Sequence, residues 1–346
     1  MSHKVFALTT RGLETLSAGE MSALPGVQVR DVAYRCVTAT CHGDLTPLLT
    51  LRTVDDVFLD VATWHSLVRQ RHALSVLEQQ AARLDLRSAA TLRAQYSSHN
   101  SQFAIRNSQF SLTVSFVGKR NYSTDEIKQR VAAAITARHG WTYTPDDATA
   151  DLNVRLFIEH ERAYVGVRLG KTPLHRRHYK QRHILGSLKP PVAAAMLRLA
   201  APQAGTRLLD PCCGAGTVLI EAAAEGILAR GGDIAMKALE ATRANVDAAS
   251  ATVDVQRWDA RRLPLVDASV EYVVSNPPWG RAVATGVDLE AFYRQLCVEI
   301  RRVLRPGGRA VLLTSVPDLV RLPGLQLETQ LEISLFGQRP LILVFV

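Results

Sequence analysis

Two short stretches carry residue types and spacings that could do chemistry. In Leu208-Leu-Asp-Pro-Cys-Cys-Gly-Ala-Gly-Thr217, an apolar strand ends at Asp210, glycines stand at 214 and 216, and a helix begins at Thr217. Glycines let the backbone turn tightly and approach a ligand. A strand-to-helix turn of this kind is where a doubly wound sheet holds a nucleotide-like cofactor. An acid at the strand end suits a cationic or hydroxyl-bearing cofactor better than a pyrophosphate. The second stretch, Asn276-Pro-Pro-Trp-Gly280, follows another apolar strand. A conjugated amino group has its lone pair delocalised into the ring and is a poor nucleophile. The Asn276 side-chain oxygen and the Pro277 carbonyl can both accept from it, aligning the nitrogen with an electrophile and favouring pyramidal geometry. The two prolines stiffen the loop. Trp279 offers a ring face on which a flipped base could stack.

Two further acids end strands of the same half, Asp233 and Asp259. Three carboxylates at carboxyl ends of parallel strands are hard to obtain by accident. No general base is evident. Cys212 and Cys213, beside the glycines, read as packing residues, and no set of side chains has metal-ligand spacing.

These residues need a frame, and the second half supplies one. Strand and helix patterns alternate over 207–210, 217–224, 227–234, 238–249, 253–259, 270–276, 289–304 and 309–315. This implies a parallel sheet covered on both faces. A hairpin over 327–335 and 341–346 closes the chain, with one strand expected antiparallel. Pro190 and Pro191 start a helix just ahead of this alternation.

The first half reads as α+β. A strand over 5–9, helical spacing over 12–24, two strands over 27–40 and helical spacing over 45–59 suggest a small βαββα sandwich. Helical spacing returns over 66–84, and 85–101 is ambiguous. A strand over 110–116, a helix capped by Ser123 or Thr124 and ended by Gly140, and two strands turning at Glu161 follow. Asn100-Ser-Gln-Phe103 recurs as Asn107-Ser-Gln-Phe110, too short for a structural repeat. Cys36, Cys41 and His42 read as strand residues rather than a metal set.

The 346 residues allow two or three domains, 47% are hydrophobic, and the five cysteines are scattered, so no disulfide framework is expected. No apolar run reaches membrane length and no leader-like segment opens the chain, so a cytoplasmic protein without a membrane partner is expected. The net charge is +9. Between Glu161 and Asp210 there is no acid, whereas Lys171, Arg176, Arg177, Lys180 and Arg182 are interleaved with His175, His178, Tyr179 and His183. Cations among stacking rings without acids point to a phosphate-bearing partner.

With these motifs in hand, residues 110–171 resemble the THUMP domain of RNA-modifying enzymes, preceded by a ferredoxin-like subdomain. The second half resembles a class I S-adenosylmethionine-dependent methyltransferase, Rossmann-like with a mostly parallel seven-stranded sheet. The resemblance implies a ferredoxin-like subdomain over 1–62, a THUMP domain over 63–170, a basic linker over 171–189 and a methyltransferase domain over 190–346. It further implies S-adenosylmethionine held by Asp210, Cys212, Gly214, Gly216, Asp233, Asp259 and Asn276. Asp210 would face the methionine amino group, Asp233 the ribose hydroxyls and Asp259 the adenine amino group. Asn276, Pro277 and Trp279 resemble the Asn-Pro-Pro-aromatic motif of nitrogen methyltransferases, in which the aromatic residue is more often Tyr or Phe. RNA contacts would come from Lys119, Arg120, Lys171, Arg176, Arg177, Lys180 and Arg182. The combination is most similar to guanine-N2 methyltransferases acting at position 6 of the tRNA acceptor stem. Large-subunit (23S) rRNA or tRNA position-10 enzymes, and a tRNA-binding protein with a vestigial catalytic domain, are the alternatives. The chain is read as a monomer binding tRNA, with no metal.

Overall fold

A computed structural model describes residues 2–96, 108–279 and 288–346. The chain divides into two compact units, one comprising residues up to Thr9 with Ala18–Leu174, the other Thr10–Ser17 with His175–Val346.

In the first unit, eight strands form one sheet: β1 (Ser2–Leu8), β2 (Val27–Ala33), β3 (Cys36–His42), β4 (Asp56–Trp64), β5 (Gln109–Val117), β6 (Thr142–Tyr143), β7 (Leu152–Glu159) and β8 (Arg162–Arg168). Their order is β2-β3-β1-β4-β8-β7-β5-β6. The helices are α1 (Glu14–Ser22), whose first turns group with the second unit, α2 (Ala73–Ala81), α3 (Leu86–Ala94) and α4 (Thr124–His139). Helical spacing was expected over 45–59. Instead a short 3-10 turn, Thr46–Thr50, leads into β4, where Val57 and Leu59 pair with Ala7 and Val5. The apolar residues there satisfy period 2 as well as a helical face, and two strand partners decide the matter. The one sheet runs through both expected subdomains, and the 62/63 junction falls inside β4. The ambiguous stretch after residue 84 is α3, capped by the Asp85 side chain, which accepts from Ser88 N. α4 is fixed at both ends, by a Ser123–Glu126 capping box and by left-handed Gly140. Most of the Asn100–Phe110 duplication lies outside the described residues.

The second unit is a seven-stranded sheet ordered β11-β10-β9-β12-β13-β15-β14. Its strands are β9 (Arg207–Asp210), β10 (Leu228–Asp233), β11 (Asp254–Arg257), β12 (Val270–Ser275), β13 (Leu304–Thr314), β14 (Leu327–Glu332) and β15 (Leu341–Phe345). β9 to β13 are parallel; β15 enters between β13 and β14 and is antiparallel to both. Helices α5 (Pro190–Ala200), α6 (Thr217–Ala223), α7 (Met236–Ala249) and α8 (Leu289–Val303) accompany it. Two apolar clusters make the core, one with Val192, Leu208, Leu219 and Val274, the other with Leu209, Val273, Tyr293 and Leu296. The central strands β9 and β12 and the second half of β13 are largely buried, as parallel strands covered on both faces must be, whereas the edge strands β11 and β14 are not. Leu13 is fully buried in this core, and Arg11 O accepts from Ser334 N, which explains why the short early segment belongs here. Among the described residues no helix is long and apolar enough to cross a membrane.

Candidate functional site

The strand order places Asp259, Asp233, Asp210 and Asn276 at or just past the carboxyl ends of four neighbouring parallel strands, β11, β10, β9 and β12. Hydrogen bonds join these ends laterally. Ser275 Oγ donates to Asp210 Oδ1 at 2.6 Å, tying β12 to β9. Gly214 N donates to Asp233 Oδ2 at 3.1 Å, tying the turn after β9 to β10. Trp258 Nε1 donates to Pro211 O at 3.0 Å, tying the end of β11 to the same turn.

The turn itself needs its glycines. Gly216 has φ +75°, and a Cβ there would lie 2.7 Å from Thr242 Cγ2. Thr242 is fully buried, and its hydroxyl donates to Gly214 O at 2.7 Å. β10 is thin for a related reason: a Cβ on Gly232 would lie 2.6 Å from the Trp258 ring and 2.3 Å from Gln256 O. The Arg230-Gly-Gly sequence that weakens β10 as an apolar strand is what lets Trp258 lie against it.

Asp210 is almost wholly buried, and burial pushes its carboxyl up to about 7 despite bonds from Ser275 Oγ and Cys212 N. Both of these bonds fall on Oδ1. A buried acid with so little compensation costs free energy unless a cation joins it. Asp233 spans the turn and the next helix, since its Oδ1 accepts from Ala235 N at 2.9 Å. Asp259 is gripped by the Arg261 fork, with Arg261 Nη2 2.7 Å from Oδ2, and these bonds hold its carboxyl below the usual range. Burial raises both the Cys212 and Cys213 thiols, so neither is a thiolate nucleophile. The acceptors at these strand ends, and a turn with no room for a Cβ at Gly216, fit a ligand carrying an ammonium group and vicinal hydroxyls.

The loop after β12 holds its asparagine by both ends. Asn276 Nδ2 donates to Gly186 O at 3.3 Å, and Oδ1 accepts from Trp279 Nε1 at 2.7 Å. Trp279 was expected to offer a ring face. It is only 8% exposed and belongs to the apolar core with Leu188, Val192 and Val274. A large ring directly after a core strand gains more from burial than from display. Pro277 is buried, and Gly280 lies outside the described residues.

The basic stretch expected as a linker belongs to the second unit from His175 onward. The Asn245 amide clamps it, accepting from Arg182 N at 2.8 Å and donating to Arg182 O and to Ala215 O at 3.0 Å each. Tyr179 Oη donates to the fully buried Glu221 at 2.7 Å, and Arg177 Nε to the same oxygen at 3.2 Å. Lys180 Nζ donates to Thr217 Oγ1 at 3.0 Å and to Leu188 O. Burial lowers the Lys180 ammonium to about 8 against the pull of Glu221. Arg177 and Lys180, expected on phosphates, are therefore turned inward, because the buried Glu221 and the start of α6 need them. Arg120 is likewise internal to the first unit, donating to Val68 O, Tyr122 Oη and His160 O. Lys119, Lys171, Arg176 and Arg182 are exposed.

Ser275, Trp258, Asn245 and Glu221 were missed as site residues. Trp258 could have been found from its place directly before Asp259 opposite Gly231-Gly232. The other three depend on tertiary pairing.

Comparison with known proteins finds a family match in each of the two units. Residues 88–168 match the THUMP domain, and residues 177–321 match the RMKL-like methyltransferase domain. The chain carries a THUMP domain followed by an RMKL-like methyltransferase domain. It is 33% identical over 211 residues to the tRNA (guanine(6)-N2)-methyltransferase of Thermus thermophilus, covering 59% of this chain and 61% of that protein. It is 33% identical over 194 residues to the U6 snRNA (guanine-N(2))-methyltransferase THUMPD2 of Mus musculus, covering 54% of this chain and 34% of that protein. The aligned part thus spans less than two thirds of either relative. The crystal structure of TrmN from Thermus thermophilus has a TM-score of 0.78 and 28% identity, covering 100% of this chain and 99% of that one. The THUMP domain and the methyltransferase fold, in the order expected from the sequence, are present.

Proposed function

We propose that this protein transfers a methyl group from S-adenosylmethionine to the exocyclic N2 of a guanosine in tRNA, at position 6 of the acceptor stem. One observation carries the chemistry: Asn276, held at both ends of its amide, follows the strand whose last residue, Ser275, bonds Asp210 at 2.6 Å. An amino-group acceptor and a cofactor acid thereby sit on adjacent strand ends. The cofactor, when bound, supplies an electrophilic sulfonium methyl. Asp210 would hold the methionine ammonium, Asp233 the ribose hydroxyls and Asp259 the adenine side, with Gly214 and Gly216 giving backbone access. Asn276 Oδ1 and the Pro277 carbonyl accept from the guanine N2 amino group and turn its lone pair toward the methyl carbon. Transfer to that nitrogen would form the N–C bond as the C–S bond of the bound cofactor breaks, with the surplus proton leaving to water. No side chain need act as base.

The named activities of the Thermus and mouse relatives support guanine N2 as the target, and the THUMP domain supports a structured RNA. Lys119 and Lys171 in the first unit, and Arg176 and Arg182 in the second, are the cations we assign to phosphates; Arg120, Arg177 and Lys180 hold the protein together instead. The site test is Asn276→Ala. It should lower kcat at least about a hundredfold while tRNA affinity stays within about twofold. Full turnover by the variant would remove Asn276 from the reaction.

A further inference from the structure

The Trp279 indole does something that the Phe or Tyr more usual after Asn-Pro-Pro cannot do in the same way. Its Nε1–H points at Asn276 Oδ1 from 2.7 Å, and its ring is anchored in the core at 8% exposure. At the other end of the same amide, Nδ2 donates to Gly186 O. Rotating the amide by half a turn would set its NH2 against the indole N–H and its oxygen against a carbonyl. Both contacts would then repel, so the two partners together allow one orientation only. That orientation presents Oδ1, whose second lone pair is unused by Trp279. Phe has no donor, and a Tyr hydroxyl lies at the far end of a different ring. Gly186 belongs to the stretch pinned by Asn245 and Lys180, so the grip on Nδ2 comes from a fixed backbone.

We propose that Trp279 is a positioning residue for methyl transfer, whose indole N–H fixes the Asn276 amide with Oδ1 toward the acceptor nitrogen. This rests on the assignment of Asn276 as the amino-group acceptor. Without the indole N–H the amide keeps only the 3.3 Å contact from Nδ2 to Gly186 O, and each rotation away from it turns NH2 toward the substrate, where it competes with the amino group it should receive. Misplacement of a reacting group on this scale costs roughly 10–100-fold in rate.

The test compares the full-length protein with two variants at position 279. One is Trp279→Phe. The other replaces Trp279 by 3-benzothienylalanine, which keeps the bicyclic shape and exchanges the N–H for sulfur. Each is assayed with unmodified tRNA for kcat, KM for tRNA and dissociation constant for S-adenosylhomocysteine. Both should lose roughly 10–100-fold in kcat with KM and cofactor affinity within about twofold. Wild-type kcat in the sulfur variant would overturn the proposal, because only the N–H has been removed. A second readout does not need turnover. With four tryptophans in the chain, an indole-labelled nitrogen spectrum can resolve each N–H. The Trp279 indole hydrogen should exchange slowly with solvent and at least about tenfold faster in Asn276→Ala, the loss of one partly buried bond. Unchanged exchange would show that the contact does not hold and would also overturn the proposal. Full activity in Asn276→Ala would instead sink the acceptor assignment itself, and the two failures are thereby told apart.

Discussion

If Asp210 receives a cationic amino group, ligand affinity has to depend on pH in a way set by its burial. The carboxyl is raised to about 7 by desolvation, and Ser275 and Cys212 only partly offset this. A cationic ligand binds the ionised form, so below pH 7 a proton competes with it. The signs run opposite for folding and for binding. The raised carboxyl weakens the fold progressively as pH rises from about 4 to about 7, because the unfolded chain ionises first. Over the upper part of the same window the ligand binds more tightly. With half-ionisation near 7, the dissociation constant should be on the order of 25-fold weaker at pH 5.5 than at pH 7.5. An ordinary carboxylate near 3.9 would change it by less than about a tenth over that range. Calorimetric titration with S-adenosylhomocysteine at half-unit steps measures this directly. That ligand keeps the amino group and is chemically stable. Asp210→Asn should bind more weakly and lose the pH dependence, which separates Asp210 from any other titrating group. A flat wild-type profile would refute the cation role of Asp210, and an unchanged slope in the variant would assign the titration to another group.

Two further consequences concern RNA and the fold. Replacing Arg176 and Arg182 together by Ala should weaken tRNA binding and flatten log affinity against log salt by about 1.4–1.8, whereas unchanged slope would remove both from the interface. Gly232→Ala forces a methyl to within 2.3 Å of Gln256 O and onto the Trp258 ring. It should destabilise the second unit by roughly 1–3 kcal/mol and weaken cofactor binding, seen as a lower melting temperature with the ligand-induced rise reduced. A melting curve identical to wild type would show that Trp258 does not pack as described.

Much of the site was legible in the sequence because the relevant residues end strands. Asp210 and Asn276 each stand where an apolar run stops, Asp233 ends a weaker one through Arg230-Gly-Gly, and parallel strands bring such ends together whatever the side-chain detail. The terminal hairpin was also readable, although only the pairing shows β15 lying between β13 and β14. What the sequence did not reveal concerns partners distant along the chain. The basic run reads as uniformly available cations, yet Glu221 and Thr217 draw Arg177 and Lys180 inward, and Arg120 is consumed by carbonyls at 68 and 160. Local charge counting does not reveal a buried acid on a following helix. Residues 45–59 mislead for a different reason: their apolar spacing is compatible with two periods, and the choice falls to strand pairing. Trp279 misleads for a third reason: an aromatic after Asn-Pro-Pro reads as a stacking surface until its burial and its bond to Asn276 are known.

The roles proposed for Asn276 and Trp279 depend on methyl transfer to guanine N2 in tRNA. The most direct measurement incubates the purified protein with labelled S-adenosylmethionine and unmodified tRNA, with rRNA and U6 snRNA in parallel, and identifies the labelled nucleoside after digestion. N2-methylguanosine at position 6 of the acceptor stem is the expected product. Label confined to another RNA, or to another atom of the base, would contradict it, as would no label despite tight tRNA binding.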